Sequence, residues 1–131
     1  MRRLPVFVLL LATLTACGPS GEKACPAIAL AEGISLDIPP EVTVGLTRVS
    51  LELCWAGDCV TESATGGEHV FVPVQGLPTT PIRTTVTFDD GKPHVLDVTP
   101  SIAYPAGEDC GGGVPVAKLV VTPGGEVRQA P

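Results

Sequence analysis

The sequence predicts an all-β fold, a small antiparallel β-sandwich of about seven strands with two disulfides. Apolar and polar residues alternate in short runs, Gly and Pro interrupt these runs, and no segment after residue 16 keeps a 3.6-residue apolar period. The chain has 131 residues, which is room for one domain. Its 15 Gly and 14 Pro exclude a coiled coil, and its 44% hydrophobic content excludes a disordered chain.

The first sixteen residues have the layout of a secretory signal. Arg2 and Arg3 form a positive start, an uncharged apolar run covers residues 4–14, and two small residues precede Cys17. The apolar run is too short for a membrane-spanning helix, which needs about 20 residues. We therefore expect residues 1–16 to be removed during export.

The segment Leu14-Thr15-Ala16-Cys17 resembles the lipobox of bacterial lipoproteins. The resemblance implies that Cys17 is lipidated on its thiol and becomes the first residue of the mature chain. Two or three acyl chains hold a protein stably because each buried CH₂ contributes about 0.8 kcal/mol. The expected location is the extracytoplasmic face of the cell membrane. An ordinary signal cut after Ala16, which leaves a free thiol, is the alternative.

Four further cysteines predict two disulfides in an exported chain. A Gly-Asp turn pair lies between Cys54 and Cys59, so a bridge across a tight hairpin is expected there, which pairs Cys25 with Cys110. The chain-entropy treatment gives about 4–5 kcal/mol for the long bridge and about 2 kcal/mol for the short one. Zinc binding and a redox role are the alternatives, but the four cysteines do not have the C-x-x-C spacing that is typical of both.

Period-two runs of β-branched residues predict half-buried strands within residues 33–123. The expected inward positions are Ile34, Leu36 and Ile38; Val49, Leu51, Leu53 and Trp55; Val70, Val72 and Val74; Ile82, Thr84, Val86 and Phe88; and Leu96 with Val98. Residues 114–121 are almost entirely apolar and predict a central strand. Residues 17–32 are expected to form the lipidated tether and residues 124–131 a flexible C-terminal tail.

The expected core is aliphatic, with Trp55, Phe71, Phe88 and Tyr104 as its large members. Pro73 has no N–H group, so its strand is expected at the edge of a sheet or to end there. The core is modest for about 100 ordered residues, so the disulfides are expected to contribute to stability.

The tether and the charge limit where the domain lies. Seven residues separate Cys17 from Cys25, and at about 3.5 Å each they span under about 30 Å. The mature chain keeps six basic and 14 acidic side chains, so anionic headgroups repel it and nucleic acid is not an expected partner. We therefore expect the lipid, not the protein surface, to hold the domain at the membrane.

Three segments of the chain resemble small secreted lipoproteins of high-GC Gram-positive bacteria. They are Cys25-Pro26-Ala27-Ile28, Gly33-Ile34-Ser35-Leu36 and the predicted hairpin over residues 51–59. The resemblance implies an immunoglobulin-like sandwich of uncharacterised role. It carries over no catalytic residue.

No catalytic constellation is evident in the sequence. His69 and His94 stand near strand starts, where rim positions are expected, and the chain has no G-x-S-x-G motif. Both histidines with Asp89, Asp90 or Asp97 could form a metal site, but two Asp followed by Gly and Lys are ordinary hairpin residues. Trp55 is the candidate partner contact because Trp is enriched at binding hot spots. Packing of its ring on the disulfide or the core is the alternative.

These observations predict a non-catalytic interaction or accessory module at the cell envelope, without a cofactor. Its expected partners are the membrane, through the lipid on Cys17, and an envelope protein. Small-ligand or metal-ion binding is the alternative function, and it requires a concave polar site. An envelope hydrolase is the third hypothesis.

Overall fold

The computed structural model describes residues 24–131, and the predicted signal peptide and Cys17 lie outside the described residues. The strands in the described part are β1 (Gly33–Asp37), β2 (Arg48–Trp55), β3 (Asp58–Thr65), β4 (His69–Pro73), β5 (Ile82–Thr87), β6 (Pro93–Val98), β7 (Ser101–Ala103), β8 (Val114–Val121) and β9 (Val127–Gln129). One α-helical turn, α1 (Pro40–Thr43), follows β1, and a 3₁₀ turn (Glu108–Cys110) follows β7.

Two sheets enclose one core, as the sequence predicts. The first sheet is antiparallel and has the order β3-β2-β5-β6. The second has the order β4-β1-β8-β7, and β9 also pairs with β8. β8 is the central strand, because it pairs with β1 on one side and with β7 and β9 on the other. The all-β class is confirmed, with nine strands rather than about seven and with one parallel pair, β1 with β8.

The period-two alternation determines which side chains fill the core. Buried residues from both sheets form one cluster: Ile34, Leu36, Ile38, Val49, Leu51, Leu53, Val70, Val72, Val74, Leu77, Ile82, Val86, Val98, Ala117, Leu119, Val121 and Val127. Burial of each large aliphatic side chain contributes about 1.5–3 kcal/mol. Pro73 ends β4, which is an edge strand as predicted.

The predicted burial is wrong for two of the four large aromatic residues expected in the core. Phe71 is exposed because it alternates with the inward positions of β4, and Tyr104 is exposed because it lies in the loop after β7. Trp55 and Phe88 are half-buried and pack against the core cluster. The interior is therefore more aliphatic than the sequence indicated.

The prediction of a flexible C-terminal tail over residues 124–131 is also wrong, because this segment contains β9. Val127 is buried in the core. The Thr99 backbone N–H donates to Gln129 Oε1 (2.9 Å), and Gln129 Nε2 donates to the Thr99 carbonyl (2.8 Å). These two bonds join the end of β9 to the segment before β7, so the sandwich extends beyond residue 123.

Both predicted disulfides are confirmed. Cys54 and Cys59 are directly paired across the β2–β3 hairpin, with their Cα atoms 4.1 Å apart. The two turn residues of this hairpin, Ala56 and Gly57, have positive φ values of 52° and 83°, as a type I′ turn requires. The second bridge joins Cys25, ahead of β1, to the 3₁₀ turn 85 residues later.

Strand direction separates the loops into two ends. The tether end comprises loops 24–32, 56–57, 74–81 and 104–113, and the distal end comprises loops 38–47, 66–68, 88–92 and 122–126. At the tether end, the Leu77 N–H donates to the Glu32 carboxylate (2.8 Å). At the distal end, the Ile38 N–H donates to the Glu68 carbonyl (2.8 Å). The Cys25–Cys110 bridge and the distal loops therefore lie at opposite ends of the sandwich.

Candidate functional site

A cleft of about 450 Å³ opens among the distal loops. Its lining residues are Val42, Val44, Gly45, Leu46, Phe88, Asp89, Asp90, Lys92, His94, Gly124 and Gly125. Val42, Leu46 and Phe88 are half-buried against the core and form an apolar floor. Val44, by contrast, is 85% exposed, the most exposed large hydrophobic side chain within residues 24–131. A volume of this size falls in the range of small-molecule pockets.

The first wall of the cleft is the loop between β1 and β2. Pro39 and Pro40 stop β1 from continuing, and Pro40 occupies the first helical position of α1, where its missing N–H costs nothing. The Thr43 hydroxyl donates to the Pro39 carbonyl (2.9 Å), and the Leu46 N–H donates to the Thr43 carbonyl (3.0 Å). Val44 lies between these two contacts, so the loop presents its side chain to solvent.

The Asp89 side chain fixes the second wall, the β5–β6 turn, to the first. Its Oδ2 accepts bonds from the Thr47 backbone N–H (2.6 Å) and hydroxyl (2.9 Å), and its Oδ1 accepts one from the Arg48 N–H (3.1 Å). These bonds, chiefly the one from the Thr47 N–H, lower the pKa of the Asp89 carboxyl below its ordinary value. The acidic residues of this turn were predicted to be hairpin residues, and Asp89 also joins two loops that are distant in sequence.

The rest of the β5–β6 turn forms the polar rim. Asp90 Oδ1 accepts a bond from the Lys92 N–H (3.0 Å), and the Gly91 N–H donates to the Phe88 carbonyl (3.0 Å). The His94 ring meets the Phe88 ring edge-on, with centroids 5.5 Å apart. The rim therefore combines a cation, a carboxylate and an imidazole around an apolar floor.

The third wall is the β8–β9 turn, which is made of small residues. The Gly125 N–H donates to the Thr122 carbonyl (2.8 Å), and the Glu126 N–H donates to the Thr122 hydroxyl (3.1 Å). Gly125 has φ +85°, which side chains rarely adopt, so this wall contributes backbone rather than side chain. The arrangement can accept an apolar side chain or a small amphiphile and offers it one cation.

A second, smaller cleft of about 330 Å³ lies beside the outer face of the β4-β1-β8 sheet. On its border, Asp37 Oδ1 is 2.8 Å from His69 Nδ1, and Asp37 Oδ2 is 2.6 Å from Lys118 Nζ. The bonds to Lys118 and His69 lower the pKa of the Asp37 carboxyl. Among residues 24–131, no hydroxyl or thiol forms a hydrogen bond with His69. The group is thus an exposed charge cluster across three strands, without a nucleophile.

The structure does not bring together, as ligands of one metal ion, the histidines and aspartates considered from the sequence. His69 pairs with Asp37, His94 contacts Phe88, and Asp89 accepts its bonds from the β2 start. Within the described part of the chain, one group has metal-ligand spacing, formed by Glu52 with Cys54 and Cys59. Those two sulfurs form a disulfide, so they offer no thiolate to a metal.

Trp55 continues the inward stripe of β2 at the tether end. Its contacts with the core agree with the packing alternative, and its role as a partner contact stays a prediction. Sequence reasoning missed Val44 and the cleft. In the sequence, Val44 is one apolar residue in a loop, between Pro39-Pro40 and Gly45. Such a pattern does not by itself predict a binding surface.

The fold and the site define a small, doubly disulfide-bonded β-sandwich with a cleft at one end. No helix within residues 24–131 is long and apolar enough to cross a membrane. The chain matches no protein-family model, no curated protein and no solved structure.

Proposed function

We propose that this chain is a lipid-anchored extracytoplasmic lipoprotein and a non-catalytic interaction module of the cell envelope. Cys17 carries the lipid, and the distal cleft receives an apolar side chain of an envelope protein. The observation that carries the proposal is the position of the cleft, at the end of the sandwich opposite the Cys25–Cys110 bridge. A short tether at one end leaves the other end accessible to a partner.

The chemistry of the distal end also supports a partner rather than a reaction. Val44 is exposed beside the apolar floor, so the distal end offers a partner both an apolar side chain and an apolar cleft. Asp89 is occupied by three bonds to the neighbouring loop, and the His94 ring lies against Phe88. The cleft therefore offers a shaped apolar surface, and its acidic groups have structural roles.

The anchor is tested by mass spectrometry of the mature protein purified from membranes. The expected result is an N-terminal Cys17 that carries acyl groups, and a Cys17→Ser variant that is released into the soluble fraction. Membrane association of the Cys17→Ser variant equal to that of the natural protein would contradict the lipid anchor.

The partner is tested by photo-crosslinking in cells that make the full-length lipoprotein. A photoreactive amino acid replaces Val44 in one variant and Val95 in the control. Val95 is an exposed residue of the edge strand β6, on the face opposite to that of His94, which lines the cleft. The expected result is one envelope protein captured from the Val44 position and not from the Val95 position. Equal capture from both positions, or none under efficient activation, would contradict the proposal.

Small-ligand binding is the second candidate, and the cleft volume favours it. Amphiphilic compounds bearing a carboxylate are the matching class, because Lys92 is the cation of the rim. Binding would raise the melting temperature of the Cys17→Ser protein, and the increase would grow with the logarithm of ligand concentration once the ligand is in excess of its Kd. A Lys92→Ala variant should lose that increase, whereas an equal increase in both proteins would exclude the cleft.

A further inference from the structure

The tether end carries a second concentration of exposed apolar side chains. Ile28 (53% exposed) and Leu30 lie in the segment before β1, whereas Ile102 lies on β7 and Tyr104 directly follows it. We name these four residues the tether-end patch. They are half of the eight large hydrophobic side chains that are exposed within residues 24–131.

One covalent bond links the two chain segments that contribute the patch. The Cys25–Cys110 bridge joins the segment of Ile28 and Leu30 to the loop that follows β7. In that loop, the Gly107 N–H donates to the Tyr104 carbonyl and the Cys110 N–H to the Gly107 carbonyl, both at 3.1 Å. These bonds keep Tyr104 close to the bridge.

A glycine lets two members of the patch approach the β8 start. A Cβ atom on Gly113 would lie 2.5 Å from both Ile102 Cγ2 and Tyr104 Cε1. The two side chains therefore occupy the space that a larger residue would fill. Ile102 and Tyr104 thus lie together at Gly113, which is three residues along the chain from Cys110.

We propose that the tether-end patch rests in the interfacial region of the lipid bilayer and orients the sandwich so that the distal cleft points away from it. This inference rests on the proposed lipidation of Cys17. The seven residues between Cys17 and Cys25 span under about 30 Å, so acyl chains in the bilayer keep the patch within reach of the headgroups. Such tethering raises the effective concentration of a weak surface contact to the millimolar range.

The side chains suit that environment. Transfer of isoleucine and leucine side chains out of water lowers the free energy. Tyrosine is enriched at membrane interfaces because its ring is apolar and its hydroxyl is polar. The acidic residues Glu108 and Asp109 adjoin Cys110, so anionic headgroups oppose the contact. Zwitterionic vesicles should give the fullest contact, and in anionic vesicles the contact should increase with added salt.

The test uses Tyr104, the single tyrosine of the chain. Full-length lipidated protein is reconstituted into phosphatidylcholine vesicles and iodinated from the aqueous phase. The Cys17→Ser variant is treated with the same vesicles for comparison. Iodination of Tyr104 should be slower by a factor on the order of five in the lipidated protein, because the ring has left water.

A matched control moves the tyrosine to another face. In the double variant Phe71→Tyr, Tyr104→Phe, the ring lies on the outer face of β4, where Phe71 is 43% exposed against 39% for Tyr104. Its iodination should be equally fast with and without the lipid. Protection of Tyr104 alone supports the proposal, and equal protection at both positions would overturn the assignment to the patch.

The remaining outcomes distinguish this inference from the proposed function. If the protein floats with the vesicles while Tyr104 is iodinated as fast as in the Cys17→Ser variant, the anchor stands and the inference is wrong. If the protein does not float, both fail. Protection that occurs in native membranes and is absent from protein-free vesicles would assign the patch to a protein partner and overturn the lipid assignment.

Discussion

Loss of the Cys25–Cys110 bridge should lower the free energy of unfolding by about 2 kcal/mol, the same as loss of the Cys54–Cys59 bridge. The paired cysteines are 85 and 5 residues apart. If the folded state did not change, the chain-entropy treatment would give about 4.6 kcal/mol for the long bridge and about 2.1 kcal/mol for the short one. The folded state accounts for the difference between the first value and our prediction.

The two bridges restrain the folded protein to different degrees. Residues 24–31 are exposed and outside any strand, and residues 104–113 form a loop between β7 and β8. Without the long bridge, both segments gain freedom in the folded protein. The bridge closes a loop of about 12 residues in the folded state, which runs over the eight positions from Cys25 to the start of β1 and the four from Cys110 to the start of β8. The same chain-entropy treatment gives about 2.8 kcal/mol for that loop, so a net loss of about 1.8 kcal/mol in the free energy of unfolding remains. Cys54 and Cys59 stay paired by the hairpin ladder, so no such release occurs.

Urea denaturation followed by circular dichroism measures both losses in the mature Cys17→Ser chain. The double variants Cys25→Ser, Cys110→Ser and Cys54→Ser, Cys59→Ser should lose similar amounts. Amide hydrogen exchange should also become faster in residues 24–32 of the first variant. A loss near 4.6 kcal/mol for the long bridge would refute the argument, because it would mean that these segments stay fixed without the bridge.

Three further substitutions test the local geometry. Ala56→Asn should raise the free energy of unfolding by about 0.5–1 kcal/mol in urea titrations, because Asn tolerates the positive φ of this turn position better than Ala. Gly33→Ala should cost about 1–3 kcal/mol and lower the melting temperature, because its Cβ would meet the Val72 carbonyl and the Phe71 ring, and Ser35→Ala is the control. The folded state lowers the pKa of Asp89, so its stabilisation is complete above the ordinary value of 3.8 and is lost as pH falls through the lower folded pKa. Asp89→Asn should therefore flatten the acid side of the stability profile, and an unchanged profile would exclude this contribution.

Local sequence patterns were sufficient for much of the fold. Alternation identified the inward faces of β1, β2, β4 and β5, because side chains of a strand point to opposite faces in turn. Pro73 indicated an edge strand because it lacks a ladder donor. The Gly57-Asp58 pair indicated the hairpin, although the turn lies one residue earlier, at Ala56 and Gly57, and Asp58 begins β3. The remaining two cysteines then had to pair.

Some elements could not be predicted in this way. β9 has three residues, too few for a recognisable period, and it exists because β8 offers a free edge to pair with. The aromatic residues were expected inside on size alone, yet Phe71 occupies an outward register position and Tyr104 a loop. For short elements and loop residues, the position relative to neighbouring strands decides burial, and that position is set by distant parts of the chain.

The sequence by itself determined the strand-rich class and the pairing of the cysteines, because these depend on residues close together or on simple parity, whereas export and lipidation at Cys17 stay predictions. Only the tertiary structure decided that β1 pairs in parallel with β8, and that loops around Val44, Asp89 and Gly125 meet in one cleft. These loops are up to about 80 residues apart, and local residue patterns do not specify which distant segments come together. Sheet packing brings them together at the end of the sandwich opposite the Cys25–Cys110 bridge.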